Sequence, residues 1–146
     1  MATYVKLIKL GLVKGSGKQN VDDAALDGLK SSLSTEMTKL GYDFDAEDGK
    51  PKQKKGFVLD GSITEIFITP VGSRATVGVK ISMSLGTLPD NSMFGFLTSS
   101  PKVDSGTRDK DIEGSVVAVV AAAAAGLAQK IDAAIKNKQG AGTTGS

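Results

Sequence analysis

The side chains available for chemistry in this chain are Asp, Glu, Lys, Ser, Thr and Tyr, because its 146 residues include no His, Cys or Trp. That removes imidazole bases, thiol nucleophiles and the usual zinc and haem ligands. Gly11 to Gln19 (GLVKGSGKQ) follows an apolar stretch and precedes a helical one, as a phosphate loop would. Such a loop has four residues between its first Gly and the Gly-Lys pair, then a hydroxyl for magnesium. Here five residues separate Gly11 from Gly17, and Gln19 stands where the hydroxyl belongs. The segment reads as a loop entering a helix.

Asp43 to Gly49 (DFDAEDG) has the opening rhythm of a calcium loop, but Asp48 occupies the sixth position, where Gly is needed, and Lys54 replaces the closing Glu. It reads as a solvated acidic turn. Ser99-Ser100-Pro101-Lys102 has the Ser-x-x-Lys spacing of acyl-enzyme hydrolases; the companion motifs are absent, and Pro101 opposes the helix that would align Ser with Lys. Glu65, on an otherwise apolar strand face, is either a general acid or the mark of a bulge where the strand turns outward. A hydrolase or ligand-binding enzyme would need Glu65, Lys80 or Ser99 to converge in a cleft. No catalytic residue, metal or cofactor is assigned.

The elements that must position these groups follow from periodicity. Tyr4–Val13 reads as a partly exposed strand. A helix from Asn20, its expected cap, to about Leu40 carries the apolar stripe Leu26, Leu29, Leu33, Met37 and Leu40, and Gly41 stops it. Residues 42–56 form a polar connection in which acidic residues give way to Lys50, Lys52, Lys54 and Lys55, expected to pair loosely in solvent. Phe57–Thr69 is a second strand, with Phe57, Leu59, Ile63 and Phe67 on one face. After a turn at 70–73, Arg74–Leu85 alternates strictly between apolar and polar residues, which predicts an antiparallel strand with one buried face. Residues 104–114 read as loop. Ser115 to about Lys136 is a long Ala-rich helix whose thirteen-residue apolar run, 116–128, falls short of the about 20 residues that cross a bilayer.

These elements predict an α+β two-layer sandwich of order β-α-β-β-β-α. Its sheet is mostly antiparallel and both helices cover one face. A single domain over 1–138 with a disordered tail at 139–146 is expected. The other sheet face is polar, led by Thr76, Lys80, Ser82 and Ser84. Between loop-forming residues lies Met93-Phe94-Gly95-Phe96-Leu97, either a fourth strand with both Phe in the core or an exposed apolar tip that docks a partner. Met93, Phe94, Phe96 and Leu97, with Thr76, Lys80 and Ser82, are the candidate binding residues. Arg74 and Arg108 are the only arginines among 18 basic residues, and 16 acidic residues nearly balance them, which argues against nucleic acid. The lack of Cys fits a reducing cytoplasm and an exported bacterial protein equally.

Gly56-Phe57-Val58-Leu59-Asp60-Gly61-Ser62-Ile63-Thr64-Glu65 resembles a Leu-x-Gly-x-Ile strand of bacterial envelope lipoproteins of the curli-secretion and penicillin-binding-protein-activator type, related in fold to the amino-terminal domain of TolB. In those proteins a second strand and an Ala-rich helix follow, which Arg74–Leu85 and Ser115–Lys136 would match. The resemblance implies a non-enzymatic assembly or regulatory role in the envelope, periplasmic or at the outer membrane. The chain departs from those proteins in having no lipid-bearing Cys. The expected partner is another envelope protein or a second copy of the chain; a self-associating structural domain is the alternative.

Overall fold

A computed structural model describes residues 2–144, with side chains described through Gly140. The strictly alternating segment forms an interior strand of one mixed, mostly antiparallel sheet. The strands are β1 (Tyr4–Leu12), β2 (Asp43–Asp45), β3 (Gly56–Val71), β4 (Arg74–Leu88), β5 (Met93–Ser99) and β6 (Lys102–Ser105), and the helices are α1 (Gln19–Lys39) and α2 (Asp109–Thr144). The sheet order is β2-β1-β3-β4-β5, with β6 also paired to β4. β1 runs parallel to both β2 and β3, while β3, β4 and β5 form an antiparallel meander. The β3–β4 hairpin closes through Gly72 and Ser73. Gly72 adopts φ +61°, the conformation a two-residue hairpin turn asks of its first central residue.

One face of the sheet carries the core. Val77, Val79, Ile81, Met83 and Leu85 of β4 face Val21, Ala25, Leu29, Leu33 and Met37 of α1, together with Val116, Val120, Leu127 and Ile131 of α2. Each fully buried Leu, Ile or Val contributes about 1.5–3 kcal/mol by leaving water. The predicted α1 stripe is there, with Leu26 and Leu40 half-buried at its edges.

The structure corrects several boundaries. α1 begins at Gln19 with no side-chain cap, so Asn20 is not the cap; the Asp22 carboxylate instead accepts from the Ser16 backbone N–H at 2.8 Å and from its hydroxyl at 2.7 Å. α2 starts at Asp109, inside the expected loop, and runs through Thr144; the expected tail 139–146 extends beyond the described residues at 145 and 146. The longer helix also changes the membrane arithmetic. By length and composition, residues 109–140 would suffice to cross a bilayer, with a mean hydropathy of 1.6 in the most apolar window, and 44% of that window is buried inside the protein.

Two short strands escaped the periodicity. β2 is three residues long, and β6 four, too few for alternation to register. A bulge between Ile63 and Glu65 flips the remainder of β3, so Phe67 does not share the face of Phe57, Leu59 and Ile63. It crosses to the uncovered face and lies over Gly78 of β4. A Cβ at Gly78 would stand 2.2 Å from the Phe67 ring, so only Gly admits this close approach.

Candidate binding surface

The uncovered sheet face is built from the polar half of the β4 alternation and its neighbours. Thr76, Gly78, Lys80, Ser82 and Ser84 point to this side, opposite Thr69, Phe67, Glu65, Ser62 and Asp60 of β3. On the other flank, Phe96 lies opposite Ser84 and Met93 opposite Gly86. Phe96 is 66% exposed and Met93 56% exposed. Phe94 and Leu97 behave differently. They are half-buried against the core, and Phe94 meets Phe57 edge-on at 5.7 Å between ring centres. The five-residue apolar segment is therefore neither a core strand nor an exposed tip; it is an edge strand split between the two. A further bulge at Leu85/Gly86 sets this split.

Thr76 and Ser82 are half-buried and Lys80 is exposed; all three share one face with Phe96 and Met93, but only Ser82 lies next to Phe96, while Lys80 and Thr76 follow further along β4, Thr76 about 26 Å away. Glu65 joins them as the centre of a triad, 3.3 Å from Lys14 and 3.4 Å from Lys80. The Thr64 hydroxyl donates to the Lys80 carbonyl at 3.1 Å, tying the bulge that aims Glu65 outward. Hydrogen bonds from Lys14 and Lys80 hold the Glu65 carboxyl below its ordinary range. A general acid needs the opposite shift, toward neutrality. Ser99 pairs with Ile81, one residue beyond Lys80 on the opposite side of the strand, so the hydrolase set does not converge. Ser99 closes β5 and Lys102 opens β6, and Ser-x-x-Lys therefore spans a strand-to-strand corner and not a helix.

The acidic turn is a more ordered place than its composition suggested. Lys6 is 1% exposed, and its ammonium sits 3.3 Å from Asp45 and also donates to the Glu47 carbonyl. Tyr4 donates its phenol to Asp45 at 2.6 Å and accepts from the Lys52 backbone N–H at 3.0 Å. The Lys54 ammonium lies 4.8 Å from the centre of the Tyr4 ring and 3.2 Å from Asp43. One exposed pair, Lys54–Asp43, joins the two opposite charge runs as expected, but β1 also holds both runs down from beneath through Tyr4 and Lys6. Burial opposes ionisation of Asp45, yet hydrogen bonds from Tyr4, the Glu47 backbone and Lys6 outweigh it and lower its pKa. Burial and the bond to Asp45 raise that of Tyr4. Asp43 is thus paired with Lys54, and Asp45 with Tyr4 and Lys6. Among the described residues no cluster of acidic side chains could hold a metal ion.

Sequence reasoning missed this cluster. The signal was present as Tyr4 and Lys6, which alternate on one face of β1, but their partner lies some forty residues away. A second link of the same kind joins Tyr42 to Asp132 of α2 at 2.5 Å. Burial first, and then that bond, raises the Tyr42 pKa, while the Tyr42 hydrogen bond lowers that of Asp132.

Comparison with known proteins finds likeness in structure only. No family model matches the chain, and no curated protein matches it in sequence. A protein of the DUF330 family from Xanthomonas campestris superposes with a TM-score of 0.65 at 11% identity, covering 90% of this chain and 87% of that one. A minor lipoprotein from Acinetobacter baumannii gives 0.54 at 13% identity, covering 90% and 93%. PelC from Paraburkholderia phytofirmans, crystallised as a dodecamer, gives 0.53 at 10% identity, covering 85% and 87%. The chain thus has a fold that bacterial lipoproteins also use.

Proposed function

We propose that the chain is a non-enzymatic protein-binding or assembly module of the bacterial cell envelope, acting in the periplasm or at the outer membrane. The observation that carries this reading is the uncovered sheet face, where Phe96 and Met93 stand exposed at one end of a polar row that runs back along β4 through Ser82 and Lys80 to Thr76. Large apolar side chains rimmed by polar groups are how docking surfaces are composed. The shared fold with bacterial lipoproteins supports the envelope assignment. The finer kinship with curli-secretion and penicillin-binding-protein-activator lipoproteins belongs to the same proposal. It is supported by the Leu59-Asp60-Gly61-Ser62-Ile63 strand and the long α2 that follows. Phe94 and Leu97 serve this surface from below, as the anchors that fix β5.

Affinity capture from an envelope fraction tests the surface. The wild type is expected to retain a defined protein that Phe96→Ser/Met93→Ser loses while melting at the wild-type temperature. Unchanged capture by the double variant would remove these side chains from the interface. Phe94→Ser is expected to lower the melting temperature instead, because its ring packs on Phe57.

A second reading is favoured by the dodecameric state of PelC: self-association, with the chain as its own partner.

A further inference from the structure

The two edges of the sheet are finished differently. At β5 the Thr98 carbonyl accepts from Lys130 of α2 at 3.0 Å, so the helix partly caps that edge. At the opposite edge β2 pairs only with Tyr4, Val5 and Lys6. From Ile8 to Leu12, β1 has no strand on its outer side among the described residues. Ile8 stands on a bulge there and is 43% exposed. Beside this bare stretch runs a groove of about 380 Å³, floored by Leu7, Leu10 and Leu26 and rimmed by Lys9, Asp27, Lys30 and Asp48.

The charges of this rim share one property. Two lysines and two aspartates face one groove, yet none of the four makes an ion pair or a side-chain hydrogen bond among the described residues. A rim with equal numbers of both signs attracts neither an acidic nor a basic partner. It is complementary to itself, which is the requirement for a two-fold interface, where residue i meets residue j and j meets i.

We infer that this edge is the contact between two copies of the chain, paired about a two-fold axis beside β1 and α1. Asp27 and Lys30 lie one turn apart on α1. An axis passing between them sets Asp27 of each copy against Lys30 of the other. The same operation runs the two β1 strands antiparallel, so their bare edges can complete each other's hydrogen bonds and the exposed Ile8 side chains are covered. This deepens the self-associating reading and rests on it; the outer sheet face remains free for another partner.

The test is solution mass by sedimentation equilibrium of the full chain. The wild type is expected at twice its 15.0 kDa monomer mass, or an even multiple of it. Lys30→Asp puts Asp against Asp at both contacts, and Asp27→Lys puts Lys against Lys; each alone is expected to halve the mass. Mixing the two variants in equal amounts restores both contacts in a heterodimer, and the mass should return. That recovery also excludes misfolding as the cause of the loss, and Asp27, being exposed, tolerates the change. A wild type that stays at 15.0 kDa at high concentration overturns the inference and the self-associating reading together. An oligomer that survives both variants overturns only this surface.

Discussion

Two lysine–carboxylate sites sit on the same side of this sheet, and they have opposite characters. Lys6–Asp45 lies under the 46–55 connection, with Lys6 1% and Asp45 13% exposed. Lys14–Glu65–Lys80 lies on the open face, with Lys14 73%, Lys80 56% and Glu65 26% exposed. Both have ion-pair geometry near 3.3 Å. What separates them is water. Removing a partner from the covered site leaves a charge that cannot be resolvated, whereas the open site simply rehydrates. One lysine is therefore a fastening for the chain, and the other two are left available to whatever approaches the surface.

The sharpest way to break this contrast is Asp45→Ala. It strands the Lys6 ammonium and frees the Tyr4 phenol, and is expected to cost about 3–5 kcal/mol, the range for uncoupling a buried pair. Thermal or urea unfolding reads it; a loss under about 1 kcal/mol would mean that water reaches the site and the two pairs are alike. At the other extreme, Glu65→Gln is expected to cost about 0–1 kcal/mol, and the difference from wild type should shrink further at high salt. A larger loss would make the open triad a structural element and would weaken the case for a docking face.

The contrast also explains what could be read from the chain alone. The α+β class, the order of the long elements and the polar outer row were legible, because β4 alternates from Arg74 to Leu85 and α1 repeats its stripe over about four turns. Those are local, periodic signals. Glu65 gave a local signal too, a charge on an apolar face, and the bulge beside it is real. Lys6 gave none. A lysine in a strand next to a surface loop reads as solvated, and only the placement of Asp45, brought in by three residues of parallel pairing, makes it buried. The split of β5 was equally hidden, since Phe94 and Phe96 would share a face in a regular strand. The bulge opposite Leu85 and Gly86 sends them apart. What was missed is long-range or irregular, and nothing in a short window encodes it.

The pairings described above have a consequence for how the molecule responds to its surroundings. Every resolved shift carries a group away from neutrality: Asp45, Glu65, Asp111 and Asp132 downward, Tyr4, Tyr42 and Arg108 upward. The lowered carboxylates stabilise the fold above their unfolded values of 3.8 for Asp and 4.5 for Glu, and that contribution is lost as pH falls through the folded pKa. The raised tyrosines stabilise it below 10.0, and that contribution fades as pH rises through theirs. Between these limits the chain has no histidine to titrate and no cysteine to oxidise. Its melting temperature should accordingly be level from about pH 5 to 8.5, and a step near pH 6.5, where histidines commonly titrate, should be missing. Reducing agents should leave it unmoved as well. Across that window, and whatever the thiol redox balance around it, the chain presents one unchanging pattern of charge.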